Sequence, residues 1–191
     1  SNAYIGNAGS GARLSLTSGA TMDVDGEMAI GRSGDGSGSV DGSTLTVEGD
    51  MVVGDDAGGS LILTNGAVLN SKGQFNLGLT ADGSHSMIVD GSTWNALENA
   101  ADNQDRVYLG YEDDTIVIRN GSMVSNVGNV GEFYIGGTGG NTVILDDSTM
   151  HAGTFRQGIT PANNRLVVTN GAGFNAAAYY IGYYDTSTNP D

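Results

Sequence analysis

An apolar residue, any residue, an apolar residue and then glycine recur along this chain. The eight occurrences read AYIG, MAIG, MVVG, FNLG, VYLG, FYIG, FRQG and YYIG, with Gln157 as the one polar substitute in the third place. Their closing glycines are Gly6, Gly31, Gly54, Gly78, Gly110, Gly136, Gly158 and Gly182, spaced 25, 23, 24, 32, 26, 22 and 24 residues apart. Self-similarity at this period marks a stacked repeat architecture, in which no unit buries its apolar face alone. The first unit, YIGNAGSGARLSLTSGATMDVDG, holds three short stretches of alternating polarity, ending at Ile5, Leu16 and Val24. Alternation with a period of two specifies strands with one buried face. The Gly, Ser, Asn and Asp between them tolerate turn conformations. Three strands and three turns in about 24 residues make one coil of a right-handed parallel β-helix (a β-solenoid), and the spacings predict about seven coils. A propeller blade needs about 40 residues and four strands, and fits less well.

Stacked coils put equivalent residues in ladders about 4.8 Å apart. The predicted inward ladders are nearly all apolar. The second strands supply Leu16, Val40, Leu63, Val89, Ile118, Leu145 and Val168, and the third supply Met22, Leu45, Leu69, Trp94, Val124, Met150 and Phe174. Gln157 falls in an inward ladder of the first strands and requires a buried partner or a local irregularity. Residues 97–106, LENAADNQDR, interrupt the period and are expected to bulge as a loop or a single helical turn. Ser1-Asn2-Ala3 reads as the scar of a removed tag, so residues 1–191 are taken as one solenoid fragment of a longer protein.

Composition then narrows function. The net charge is −15, with 22 acidic residues against 7 Lys and Arg. Phosphate backbones and anionic membrane surfaces need clustered basic residues, so neither is an expected partner. With no Cys, disulfides, thiolate metal sites and Cys nucleophiles are excluded. The chain holds no apolar run long enough to span a bilayer as a helix.

The repeat, with its IG corner and its TNG, VDG and RNG turns, resembles one found in autotransporter passenger domains and in secreted bacterial proteins with PEP-CTERM sorting tails. That resemblance implies a β-helix exported through type V or related secretion to the outer surface or the medium. It also implies a scaffold with no shared catalytic residues. The expected function is therefore a non-catalytic structural or adhesive segment. A carbohydrate-binding adhesin face is one alternative, and a carbohydrate-active β-helix enzyme is the other.

Three sets of side chains are candidates for more than structure. Tyr108, Tyr134, Arg156 and Tyr180 fall on successive coils at the outward position of the first strand. They form either a sugar-binding strip, for host or matrix glycans and proteins, or an aromatic ladder that stiffens the sheet. Asp55, Asp56, Asp82, Asp113 and Asp114 crowd the turn after that strand, where Ca²⁺ would relieve their repulsion. The rival reading is a solvated acidic rim. Ile62, Ile88, Val117, Ile144 and Val167 form an apolar stripe on the second face, suited to a contact or to the interior of a flat coil. Open ends of the solenoid are expected to favour self-association. Neither His85, read as a turn residue, nor His151 has a second His on its ladder.

Overall fold

The structure is a computed structural model of the chain, describing residues 1–80, 84–96, 106–110, 113–126, 131–136, 140–158 and 163–182. Its strands pair parallel throughout and wind as a right-handed parallel β-helix of about six turns. The first face carries β1 (Ala3–Ile5), β4 (Met28–Ile30), β7 (Met51–Val53), β10 (Phe75–Leu77), β13 (Arg106–Leu109) and β16 (Glu132–Ile135). The second carries β2 (Ala12–Leu16), β5 (Gly36–Asp41), β8 (Gly59–Thr64), β11 (Ser86–Asp90), β14 (Thr115–Arg119), β17 (Thr142–Asp146) and β19 (Arg165–Thr169). The third carries β3 (Thr21–Val24), β6 (Thr44–Val47), β9 (Val68–Ser71), β12 (Thr93–Ala96) and β15 (Met123–Asn126). β18 (Thr149–Gln157) and β20 (Gly173–Ile181) each run straight from the third face onto the first, so the corner between those faces opens out in the last coils.

The strand registers reproduce the predicted ladders, for example Leu63 on Val89, Val89 on Ile118 and Ile118 on Leu145. Inward positions in the middle coils are sealed: Leu45, Leu63, Phe75, Trp94, Ile118, Phe133 and Leu145 are 0 % exposed. An aromatic spine runs up the interior. Phe75 contacts Trp94 (centroids 4.6 Å), and Phe133 stacks on Phe155 (5.6 Å, 10° between planes). Trp94 Nε1 donates to Ser71 Oγ at 3.0 Å, which satisfies the indole in a dry core. Gln157 has its partners: Nε2 donates to the Asn164 carbonyl at 2.8 Å, and Oε1 accepts from the Tyr179 hydroxyl at 3.2 Å.

Two expectations need correction. The sequence reading counts seven coils, but about six turns close. The shortfall is at the upper end, where no described strand lies over β19 or β20, and Val168, Tyr179 and Ile181 are 44 %, 43 % and 70 % exposed. Arg106, assigned to the insertion, is the first residue of β13 and pairs with Glu132 of β16; residues 97–105 lie outside the described residues. At the lower end Ala3 begins β1, and Asn2 accepts from the Glu27 N–H at 3.2 Å and donates to the Tyr4 hydroxyl at 2.8 Å, which leaves the reading of residues 1–3 as a tag scar untested.

Candidate functional site

The outward position of the first face brings the predicted strip together. Tyr108 pairs with Tyr134 in register, Tyr134 with Arg156, and Arg156 with Tyr180. Tyr108 and Tyr134 ring centroids lie 5.7 Å apart, and the Arg156 guanidinium lies 5.7 Å from the Tyr134 ring and 5.4 Å from the Tyr180 ring. Coil spacing explains this geometry. Side chains that project from rungs about 4.8 Å apart stack along the solenoid axis. The Tyr134 ring therefore meets a neighbour on each side along the ladder, Tyr108 on one and Arg156 on the other. A sugar-stacking platform needs free ring faces, and this ladder spends them on itself. Beside it, Glu132 accepts from Arg156 at 2.9 Å and from Arg106 at 3.1 Å, so three successive rungs are joined by charge. Burial pushes the Tyr134 hydroxyl above its ordinary pKa, with Arg156 opposing. Lower on the same face the outward positions are covered: Ala29, Val52 and Asn76 are 0 %, 5 % and 6 % exposed. There Gln74 donates to Asn76 at 3.0 Å, and Arg32 lies 4.0 Å from the Tyr4 ring.

The acidic residues do not share one environment. Asp55 is half-buried and Asp56 exposed, and burial with Asp56 close by pushes the Asp55 carboxyl up, against the pull of Arg32. Asp113 is exposed, in the left-handed conformation (φ 57°). Asp82 lies outside the described residues. Asp114, expected in the exposed turn, is instead fully buried. Among the described residues, no three His, Asp or Glu side chains gather closely enough to hold a metal ion.

Asp114 belongs to a buried corner that the sequence reading did not identify. Both the backbone N–H and ring Nδ1 of His85 meet Asp114 Oδ1, at 3.1 and 2.8 Å. One coil higher, Asn141 Oδ1 accepts from the Asp114 N–H at 2.9 Å. Higher again, Asn164 Oδ1 accepts from the Asn141 N–H at 3.0 Å. His85, Asp114 and Asn141 are at most 1 % exposed, and Asn164 is 8 % exposed. Asp114, Asn141 and Asn164 thus each cap a backbone N–H of the coil below, and His85 and Asp114 fill the gaps left by corner glycines. A Cβ on Gly54 would sit 1.8 Å from the His85 ring, and one on Gly78 would sit 2.1 Å from Asp114 Oδ2. The available signal was spacing. All four residues precede the second strand of their coils, 29, 27 and 23 residues apart. His85 and Asp114 have the residue types of an acid–base pair, but the corner is sealed, and a general base must come within hydrogen-bond reach of its substrate.

The second face carries the apolar stripe outward, with Ile62 38 % exposed and Ile88, Val117, Ile144 and Val167 half-buried. Beside it a shallow trough of about 310 Å³ runs past Arg13, Asp35, Ser37, Ser60 and Ser86, where Asp35 Oδ1 already accepts from the Gly58 N–H at 3.1 Å.

No family model matches this chain, and neither do any curated proteins or solved structures.

Proposed function

We propose that this chain is a non-catalytic, rigid spacer within a bacterial protein exported to the cell surface or the medium. One observation carries the reading: polar and charged side chains on the outside are engaged from coil to coil. Glu48 binds Lys72 at 2.6 Å, Asp90 binds Arg119 at 2.8 Å, Glu132 bridges two arginines, and Asn side chains bind Asp side chains of the preceding coil. Single exposed pairs contribute little, but a continuous series resists sliding and splaying of the coils. Export rests on the likeness of the repeat to autotransporter passengers and PEP-CTERM proteins, and the absence of Cys is compatible with it.

A second reading, an adhesive strip, is favoured by the assembly of Tyr108, Tyr134, Arg156 and Tyr180 on one face. It would present hydroxyl edges and a guanidinium to a glycan or matrix protein. A glycan and matrix-protein array, run in Ca²⁺ and in EDTA with wild type and Tyr134→Ala, separates the two. The spacer reading expects no saturable signal. Saturable binding lost in Tyr134→Ala would make the strip an adhesive site.

A further inference from the structure

Six methionines carry all the sulfur in this chain, which has no Cys. A thioether has no proton to lose, so its reaction with peroxide depends on whether solvent reaches the sulfur. The sulfur lone pair attacks one peroxide oxygen. An S–O bond forms, the O–O bond breaks, and the other oxygen leaves as water. Sulfur is oxidised by two electrons to the sulfoxide, and peroxide is reduced. The product is a polar, chiral side chain that methionine sulfoxide reductases return to methionine.

The fold divides these six side chains. Met28 and Met51 are in-register neighbours on the first face, Met87 lies on β11 and Met150 on β18, and all four are 0 % exposed. Met22 is partly buried and packs against the same core. Met123 is the exception. It begins β15 and is 43 % exposed, while the next residue, Val124, is sealed inside.

The column that holds Met123 is a hydroxyl column. Thr21, Thr44, Val68, Thr93, Met123 and Thr149 pair in register from rung to rung along the third face. Threonine fills four of those six places, so the position does not call for an apolar side chain. Thr93 below and Thr149 above also bring hydroxyls to rungs about 4.8 Å away, within reach of a sulfoxide oxygen on Met123. An oxygen added to Met28, Met51, Met87 or Met150 would instead enter a dry core, where a polar atom without a partner is costly.

We propose that Met123 is a site of reversible oxidation by hydrogen peroxide, which the folded solenoid takes up without loosening. Met28, Met51, Met87 and Met150 react only when the coils open. The modification therefore changes the chemistry of the third face at one rung and leaves the core as it was.

Peptide mapping by mass spectrometry during incubation with hydrogen peroxide tests this. In the folded protein, Met123 should oxidise at least about tenfold faster than the four sealed methionines, a ratio set by their need for local opening. In concentrated urea the five rates should converge. Comparable rates in the folded protein would overturn the proposal, and so would a Met123 lead that persists unchanged in urea. Protein quenched after oxidation at Met123 alone should keep the urea midpoint of untreated protein, and methionine sulfoxide reductase should restore its mass without unfolding. A lowered midpoint would overturn the uptake without loosening, and a sulfoxide that the reductase leaves in place would overturn the reversibility.

Discussion

At Gly54 and Gly78 the side chains of the next coil occupy the space that a Cβ would need, and the coils interlock there. Gly54 and Gly19 both have positive φ (81° and 75°), but a Cβ at Gly19 meets nothing within 4 Å. Gly19→Ala should therefore cost only the left-handed strain, about 1–2 kcal/mol. Gly54→Ala adds displacement of the His85 ring and should cost clearly more in urea melts. Equal costs would mean that His85 does not fill the corner. Asp114→Ala strips a buried acceptor from His85 and should cost on the order of 3 kcal/mol. Asp114→Asn should cost less, because Asn141 and Asn164 already serve at that level in the coils above. Tyr134 adds a pH signature. Its pKa is raised above 10.0 by burial, so its contribution is complete below the unfolded value and is lost as pH rises through the folded one. Tyr134→Phe keeps the stack and should weaken the loss of stability above about pH 10. Superimposable alkaline profiles would place the hydroxyl in solvent.

The strands were legible in the sequence because each contributes inward residues at a period of two. Leu63, Val89, Ile118 and Leu145 were identifiable from alternation alone, and all four are 0 % exposed. Leu145→Ala should cost about 2–5 kcal/mol by urea melt. The corners were less legible. His85 and Asp114 are polar residues beside turns, and hydropathy gives no reason to bury them; the compensating bond comes from another coil. The same limit explains Asp114 among the predicted calcium ligands: the turn was correct, but the direction of the side chain was not encoded locally. The Tyr–Arg strip was legible as a ladder. What spacing did not reveal is that each ring and guanidinium covers its neighbour, and this moves the strip from recognition toward stiffness. The opening of the third corner in β18 and β20 was also missed, although HAGTFRQ and NAAAYYI carry only Gly153 and Asn175 as turn-tolerant residues.

In the whole molecule, turns of the second face alternate. Gly42, Gly91 and Asp147 are single left-handed residues, whereas Ser18-Gly19, Asn65-Gly66, Asn120-Gly121 and Asn170-Gly171 are left-handed pairs. Asp41, Asp90 and Asp146 on the first kind of turn accept from Asn on the second, so the structural unit is two coils. Deleting residues 51–74 removes one coil and sets Asp41 against Asp90. Deleting 28–74 removes two and sets the Ser18-Gly19 turn beneath Asp90-Gly91, as it now lies beneath Asp41-Gly42. The longer deletion should melt at the higher temperature, and the reverse order would dismiss the two-coil unit. Thermal melts in Ca²⁺ and in EDTA should overlap, since among the described residues the acidic side chains do not gather into a metal site; a rise in Ca²⁺ would restore the calcium reading. The rigid-spacer account itself is tested most directly by pulling single molecules from their two ends. It predicts no extension until discrete steps occur, each releasing one coil of about 24 residues, roughly 80 Å of chain, or a pair of coils. Smooth lengthening at low force, with no steps, would contradict it.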